Sequence, residues 1–138
     1  MFLDFKRAFE TIDRAILFEK LQRFGIKSNA LRWFESYLDG RKQCTKVNGK
    51  IWRPRDNNIG VPQGSIIGAF LFIMYINDMP EVLRNVTINL FADDTLLYIT
   101  GKSVNVIASK MNSELKKVVN WLNNNKLKLN VQKRNGCW

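Results

Sequence analysis

Two β-leaning apolar runs, residues 86–92 and 95–100, are separated only by Asp93-Asp94. A parallel crossover needs about a dozen residues or more, so a two-residue connection leaves only a tight antiparallel hairpin with both carboxylates at its tip. Residues 1–4 are apolar and stop at Asp4, like the last residues of a strand. Helical stripes fill most of the remaining chain, which predicts an α+β domain: a small antiparallel sheet with helices packed on one face and the other open as a working surface.

The helical signals are local. Asp13 stands before Ile16, Leu17, Lys20, Leu21 and Phe24 as an N-cap, and Gly25 terminates that stripe. Ser28 is expected to cap a second helix through Leu31, Phe34, Tyr37 and Leu38, stopped by Asp39-Gly40. Residues 41–59 read as strand, Asn48-Gly49 turn, strand, with Pro54 demoting the second arm to an edge or breaking it. After a Pro/Gly loop at residues 60–64, Ser65 opens a helix predicted to reach about Met79, with Pro80 just beyond. It is apolar nearly all round, which predicts burial on several sides. Val106, Ile107, Met111, Leu115, Val118, Val119 and Leu122 mark one long amphipathic helix, ended at residues 123–125, and Leu127, Leu129 and Val131 alternate as a closing strand.

Composition narrows the chemistry. A chain of 138 residues, 46% hydrophobic and 25% charged, has the size and make-up of one packed domain rather than of a disordered segment. Histidine is absent, which removes imidazole bases, Ser-His-Asp triads and His-bound zinc. Cys44 and Cys137 are far apart without Cys-x-x-Cys spacing, so a reduced, intracellular chain is expected. The longest apolar run, residues 66–76, is short of the ~20 residues that cross a bilayer, and no signal-peptide layout is present.

The net charge of +10 favours a polyanionic partner, above all nucleic acid. It is unevenly spread: +7 over residues 1–55, −4 over residues 56–100 and +7 over residues 101–138. Such a pattern suits a polyanion groove flanking a carboxylate site, and equally a charge-poor core segment between two solvated faces. Asp4, Asp93 and Asp94 are the first chemical candidates, because three gathered carboxylates repel unless divalent cations neutralise them. Alone, an Asp-Asp turn is an ordinary solvated turn.

Two further segments precede the Leu90-Phe91-Ala92-Asp93-Asp94 motif in order: Phe2-Leu3-Asp4-Phe5-Lys6-Arg7-Ala8-Phe9 and Gly60-Val61-Pro62-Gln63-Gly64-Ser65-Ile66-Ile67-Gly68. With these the sequence resembles the palm of reverse transcriptases from non-LTR retrotransposons, especially the jockey-like LINE elements of animals. Gly25-Ile26, Tyr37-Leu38, Arg41-Lys42-Gln43, Tyr75-Ile76-Asn77-Asp78-Met79-Pro80 and Lys126-Leu127-Lys128-Leu129-Asn130 extend the resemblance along essentially the whole chain.

The resemblance implies roles for particular residues. Asp4 and Asp93 would be the principal metal-binding carboxylates, with Asp94 in support, holding two Mg²⁺ ions or Mn²⁺ in their place. Phe5 would bring its backbone to the metal and triphosphate. Phe9 would lie under the sugar and exclude a 2′-hydroxyl; its alternative is a core aromatic at the head of the first helix. Gln63 and Gly64 would lie against the templating base and incoming nucleotide, glycine permitting close backbone approach. Lys133 would assist the pyrophosphate leaving group; a solvated lysine is the alternative, because Arg134 to Trp138 depart from the family's Lys-Thr-Lys continuation. Glu10 replaces an Asp, and Ala69-Phe70-Leu71 replaces Pro-Leu-Leu, changes expected to affect packing rather than metals.

The activity implied is RNA-directed DNA synthesis, with an RNA template, a DNA primer and dNTP as partners, no membrane, and association with other retroelement fragments left open. The family also implies the nucleus. Residues 1–138 are expected to be a truncated palm, with fingers belonging before Asp4, a thumb after Val131, and poor or no polymerisation by the isolated chain. Two rivals stand beside this reading: a catalytically inactive nucleic-acid-binding remnant using the basic flanks, and a metal-dependent nuclease using the same carboxylates.

Overall fold

The computed structural model describes residues 1–91 and 94–130. Strand β1 (Phe2–Asp4) leads into a turn, and α1 (Arg14–Arg23) follows. Asp13 caps α1 by accepting the amides of Ala15 and Ile16 at 3.0 and 3.2 Å. Its carboxyl is held below the usual range by a hydrogen bond from Lys126 at 2.6 Å. Gly25, at φ +89°, makes the left-handed exit expected of it.

Helix α2 (Ser28–Leu38) departs from expectation at its first residue. Ser28 is not the cap: it has φ +53°, and the cap position falls to Lys27, whose side chain makes no capping bond. A capping hydroxyl reaches the first free amides from extended backbone, which a left-handed residue does not have.

Residues 41–59 form one ribbon made of two short ladders. Strands β2 (Lys42–Gln43) and β5 (Arg55–Asp56) pair at its base, β3 (Lys46–Val47) and β4 (Lys50–Ile51) at its end. Asn48 and Gly49 turn the end with φ of +50° and +78°, the doubly positive conformation of a two-residue hairpin. The register slips by one residue between the ladders, in the stretch that holds Arg53-Pro54. Proline has no amide to give to a ladder, so a bulge is where it is tolerated.

Helix α3 (Ile66–Ile76) is capped by Ser65, whose hydroxyl accepts the Gly68 amide at 2.9 Å. It stops short of Met79, and Pro80 lies inside a 3-10 turn, Met79–Val82. Lys20 satisfies this end: its ammonium donates to the Tyr75 carbonyl at 2.7 Å and to Asp78 at 2.6 Å. Burial lowers the Lys20 pKa even though Asp78 opposes the shift.

The expectation of burial on several sides is corrected. Leu71, Phe72, Tyr75 and Ile76 are buried, but Ile66, Phe70 and Ile73 are 91%, 42% and 50% exposed. The helix packs on α1 and, through Phe72, on the Phe5 ring just beyond β1; Phe70 still meets the Phe34 ring of α2 at 6.1 Å, while Ile66 and Ile73 are left to solvent.

Strands β6 (Thr87–Phe91) and β7 (Asp94–Tyr98) form the expected hairpin. Asp94 is the first residue of β7, paired with Phe91, rather than part of the tip, and Asp93 lies outside the described residues. Helix α4 (Val104–Asn124) is the long amphipathic helix. The closing strand is reduced, among the described residues, to a single antiparallel bridge between Leu129 and Phe5, with Val131 beyond them.

The sheet order is β1-β7-β6, all antiparallel. Leu3, Thr95 and Leu97 point into the core with Phe72, Tyr75 and Leu122, while Phe2, Phe91, Asp94 and Tyr98 line the exposed face. This is the mixed α+β arrangement with one sheet face covered and one open. Tyr75 anchors the floor: its hydroxyl donates to the Asn125 carbonyl at 2.7 Å, and burial pushes its pKa up to about 12. Among the described residues no helix is long and apolar enough to cross a membrane.

Candidate active site

Asp4 and Asp94 are direct partners across β1 and β7. The amide of Leu97 donates to the Met1 carbonyl, which makes positions two residues further along hydrogen-bonded pairs and the Asp4–Asp94 pair a non-hydrogen-bonded one. Side chains of such a pair lie close on the same face, with Cβ atoms about 5 Å apart. Because Leu3 and Thr95 face the core, both carboxylates face the open side. Like charges placed opposite each other destabilise a sheet, and a cation between them reverses the sign. An all-oxygen pair of this kind suits a hard divalent ion such as Mg²⁺. No third His, Cys, Asp or Glu completes a metal-holding group among the described residues. Asp93, the expected third carboxylate, is outside them.

One residue on this site was not singled out from sequence. Asn130 donates its side-chain amide to Asp4 Oδ2 at 2.9 Å and its backbone amide to the Asp4 carbonyl at 2.8 Å. The Lys6 amide donates to the Lys128 carbonyl at 2.8 Å, so residues 128–130 run along the edge of β1 opposite β7. Asn130 thus orients the carboxylate from the outer side. Its sequence signals are its place in the Lys126-Leu127-Lys128-Leu129-Asn130 stretch and the alternation at Leu127, Leu129 and Val131, which say that the segment pairs without saying with what.

Beside Asp4 lies a cleft of about 330 Å³. Its walls include Phe5, Phe9, Gln63 and Asn130, drawn from three distant parts of the chain, and the exposed cations Lys6 and Arg7 stand on its lip. Its volume is at the lower end for small-ligand pockets. Phe5 is buried, and its ring meets Phe72 edge-on at 6.3 Å.

Phe9 does not sit at the head of a helix. It belongs to the turn before α1, half-buried, with its ring 4.8 Å from that of Phe72. The ring is held by Phe72 of α3 and also borders the cleft.

Gln63 reaches the cleft because the 60–65 loop is pressed onto the turn that carries Phe9. Gly60 and Val61 donate their amides to the carbonyls of Ile12 and Phe9, each at 2.8 Å. Arg14 reinforces the contact, donating to the carbonyls of Gly60 at 3.0 Å and Leu38 at 2.7 Å. Gly60 is at φ +73°, and a Cβ there would meet the Phe9 and Glu10 carbonyl oxygens at 2.7 Å. A second close approach within the chain is at Gly68, where a Cβ would collide with the Pro62 oxygen. Gly64 has open space around it and is required for its φ of +81°. Lys133 lies outside the described residues.

Comparison with known proteins adds the evolutionary frame. The family described as reverse transcriptase (RNA-dependent DNA polymerase) matches residues 1–138. The probable RNA-directed DNA polymerase from transposon BS of Drosophila melanogaster is 27% identical over 100% of this chain and 16% of its own length. The RNA-directed DNA polymerase from mobile element jockey of the same fly is 27% identical over 96% of the chain and 15% of its own length. The chain therefore spans about a sixth of these relatives.

Proposed function

Because the chain belongs to the reverse transcriptase (RNA-dependent DNA polymerase) family, we propose that it is the palm portion of a non-LTR retrotransposon polymerase, with fingers and thumb contributed by other sequence. Its reaction is the attack of a primer 3′-hydroxyl on the α-phosphate of a dNTP directed by an RNA template, with pyrophosphate leaving. The observation that carries the reading is the pairing of Asp4 with Asp94 on the open sheet face, next to a cleft bordered by Phe9 and Gln63.

Asp4, Asp93 and Asp94 would hold two Mg²⁺ ions, or Mn²⁺ in their place. When bound, such ions lower the pKa of the attacking hydroxyl and stabilise charge on the leaving oxygen. The chain's own residues position the reactants, which is most of what phosphoryl transfer requires. Asn130 keeps the Asp4 carboxylate turned toward the open face. The Phe5 backbone and the cations Lys6 and Arg7 offer donors and positive charge to a triphosphate. The Phe9 ring, backed by Phe72, gives the sugar an apolar wall that leaves a 2′-hydroxyl without room or a hydrogen-bond partner. Gln63 and Gly64 meet the base pair being formed, and Lys133 offsets charge on pyrophosphate.

The test is Mg²⁺-dependent dNTP binding by the 138-residue chain, read by calorimetry. Wild type binds dNTP more tightly than rNTP, and Asp4→Ala or Asp93→Ala weakens binding by about tenfold or more, as expected when a charge-assisted contact worth about 1.5–3 kcal/mol is lost. Equal binding in EDTA, or no effect of either substitution, would overturn the reading. A binding-only remnant is favoured by the two flanks of +7; it predicts salt-sensitive RNA binding in both variants and no response to dNTP. Labelled RNA cut by the chain in Mg²⁺ without dNTP would indicate a nuclease.

A further inference from the structure

The 41–59 ribbon presents a second surface that shares no residue with the carboxylate cleft. Residues 42–56 are exposed without exception. Residues 41–59 contain six Lys or Arg against one Asp, a net +5 on an arm of 19 residues. One side of the ribbon is a groove of about 720 Å³ lined by Gln43, Thr45, Val47, Trp52, Arg53 and Arg55.

The register explains how these residues come to share a side. Trp52 donates its amide to the Thr45 carbonyl at 2.9 Å, extending the β3–β4 ladder, so Trp52 and Thr45 point the same way. Gln43 and Arg55 are partners in the basal ladder. In an unbroken strand Trp52 and Arg55, three apart, would face opposite sides. The one-residue slip around Arg53-Pro54 returns Arg55 to the side of Trp52, and a bulge bends the ribbon there.

The groove therefore pairs a flat aromatic wall, Trp52 being 68% exposed, with the guanidinium groups of Arg53 and Arg55 and the amide of Gln43. The aromatic face suits an unpaired base, whose π-face any sequence offers; the cations suit the phosphates that flank it. A duplex keeps its base faces stacked, so charge alone would attract it while Trp52 went unused.

We propose that this groove binds single-stranded nucleic acid, with a base stacked on Trp52 and backbone phosphates on Arg53 and Arg55. The contact needs no divalent ion and is separate from nucleotide binding at Asp4 and Asp94.

The test is fluorescence anisotropy in EDTA with labelled oligouridylate and oligothymidylate of about 12 nucleotides, within the site size of known single-strand binders. Base-bearing single strands bind, and more weakly by about sevenfold as salt rises from about 50 to 200 mM, the loss for two phosphate contacts. Trp52→Ala weakens binding by about 5- to 100-fold and Trp52→Phe restores most of it, as expected of stacking. A wild-type comparison needs no variant to fold: an abasic strand of equal length binds about tenfold or more weakly. The two oligomers report whether ribose or deoxyribose is preferred. Equal binding of the abasic strand, preference for duplex, or indifference to Trp52→Ala would overturn the proposal. Because EDTA silences the carboxylate site, failure here and failure of dNTP binding are read separately.

Discussion

Asp94 and Thr95 are neighbours that the strand turns to opposite faces, and their fates differ accordingly. Asp94 faces the open side opposite Asp4, whereas Thr95 is fully buried and its hydroxyl has no hydrogen-bond partner among the described residues. An unsatisfied buried hydroxyl costs about 1–3 kcal/mol. Thr95→Val keeps the β-branched shape, so it is expected to stabilise the chain by about 1 kcal/mol in urea unfolding. Glu114 is the opposite case, a buried carboxylate that is fully engaged. It accepts from Lys117 and Asn85 at 2.7 Å each and from the Arg84 amide at 3.1 Å. Burial pushes its pKa up, but these three donors outweigh burial and bring it down from 4.5 to about 2. A carboxyl more acidic when folded stabilises the fold above its unfolded pKa. That contribution is lost as pH falls from about 4.5 toward 2. Melting temperature should drop across this window in wild type, and Glu114→Gln should be less stable at neutral pH with a flatter acid dependence.

At the scale of elements, the loop of residues 60–65 decides whether the cleft exists. Its local chemistry is plain in sequence: Pro62, three glycines nearby and a capping serine. Its docking partner is not, because the Phe9 and Ile12 carbonyls it meets lie some 50 positions earlier. Gly60→Ala places a methyl against two backbone oxygens at a left-handed residue. The expected cost is about 2 kcal/mol or more in chemical denaturation, from the left-handed strain of about 1–2 kcal/mol plus the clash. Any folded fraction should also bind dNTP more weakly, since Gln63 rides on the same loop. The ribbon makes a similar point in reverse. Asn48-Gly49 announced its turn, and Pro54 announced a break. That the break returns Arg55 to the side of Trp52 depends on the pairing register on both sides of it.

For the whole molecule, the hairpin at Asp93-Asp94 constrained the chain most, and it stands as β6–β7, though shifted so that Asp94 opens a strand. The N-caps at Asp13 and Ser65 and the long helix α4 were legible for the same reason as the hairpin. Each is set by residues within a few positions, where propensity, capping and hydrophobic period act before any tertiary contact forms. Ser28 misled because a capping residue type says nothing about its own φ. Helix α3 misled because uniform apolarity records which faces tolerate burial, not which face has something to pack on. The lack of histidine and the distribution of charge likewise belong to sequence alone: they excluded imidazole chemistry and pointed to a polyanion. Only the tertiary structure set Asp4 opposite Asp94, turned both to the open face, placed Asn130 on Asp4 and brought Gln63 beside Phe9. Those relations join residues tens of positions apart through sheet register, helix packing and a glycine's close approach, and such distances carry no local preference from which a sequence could be read.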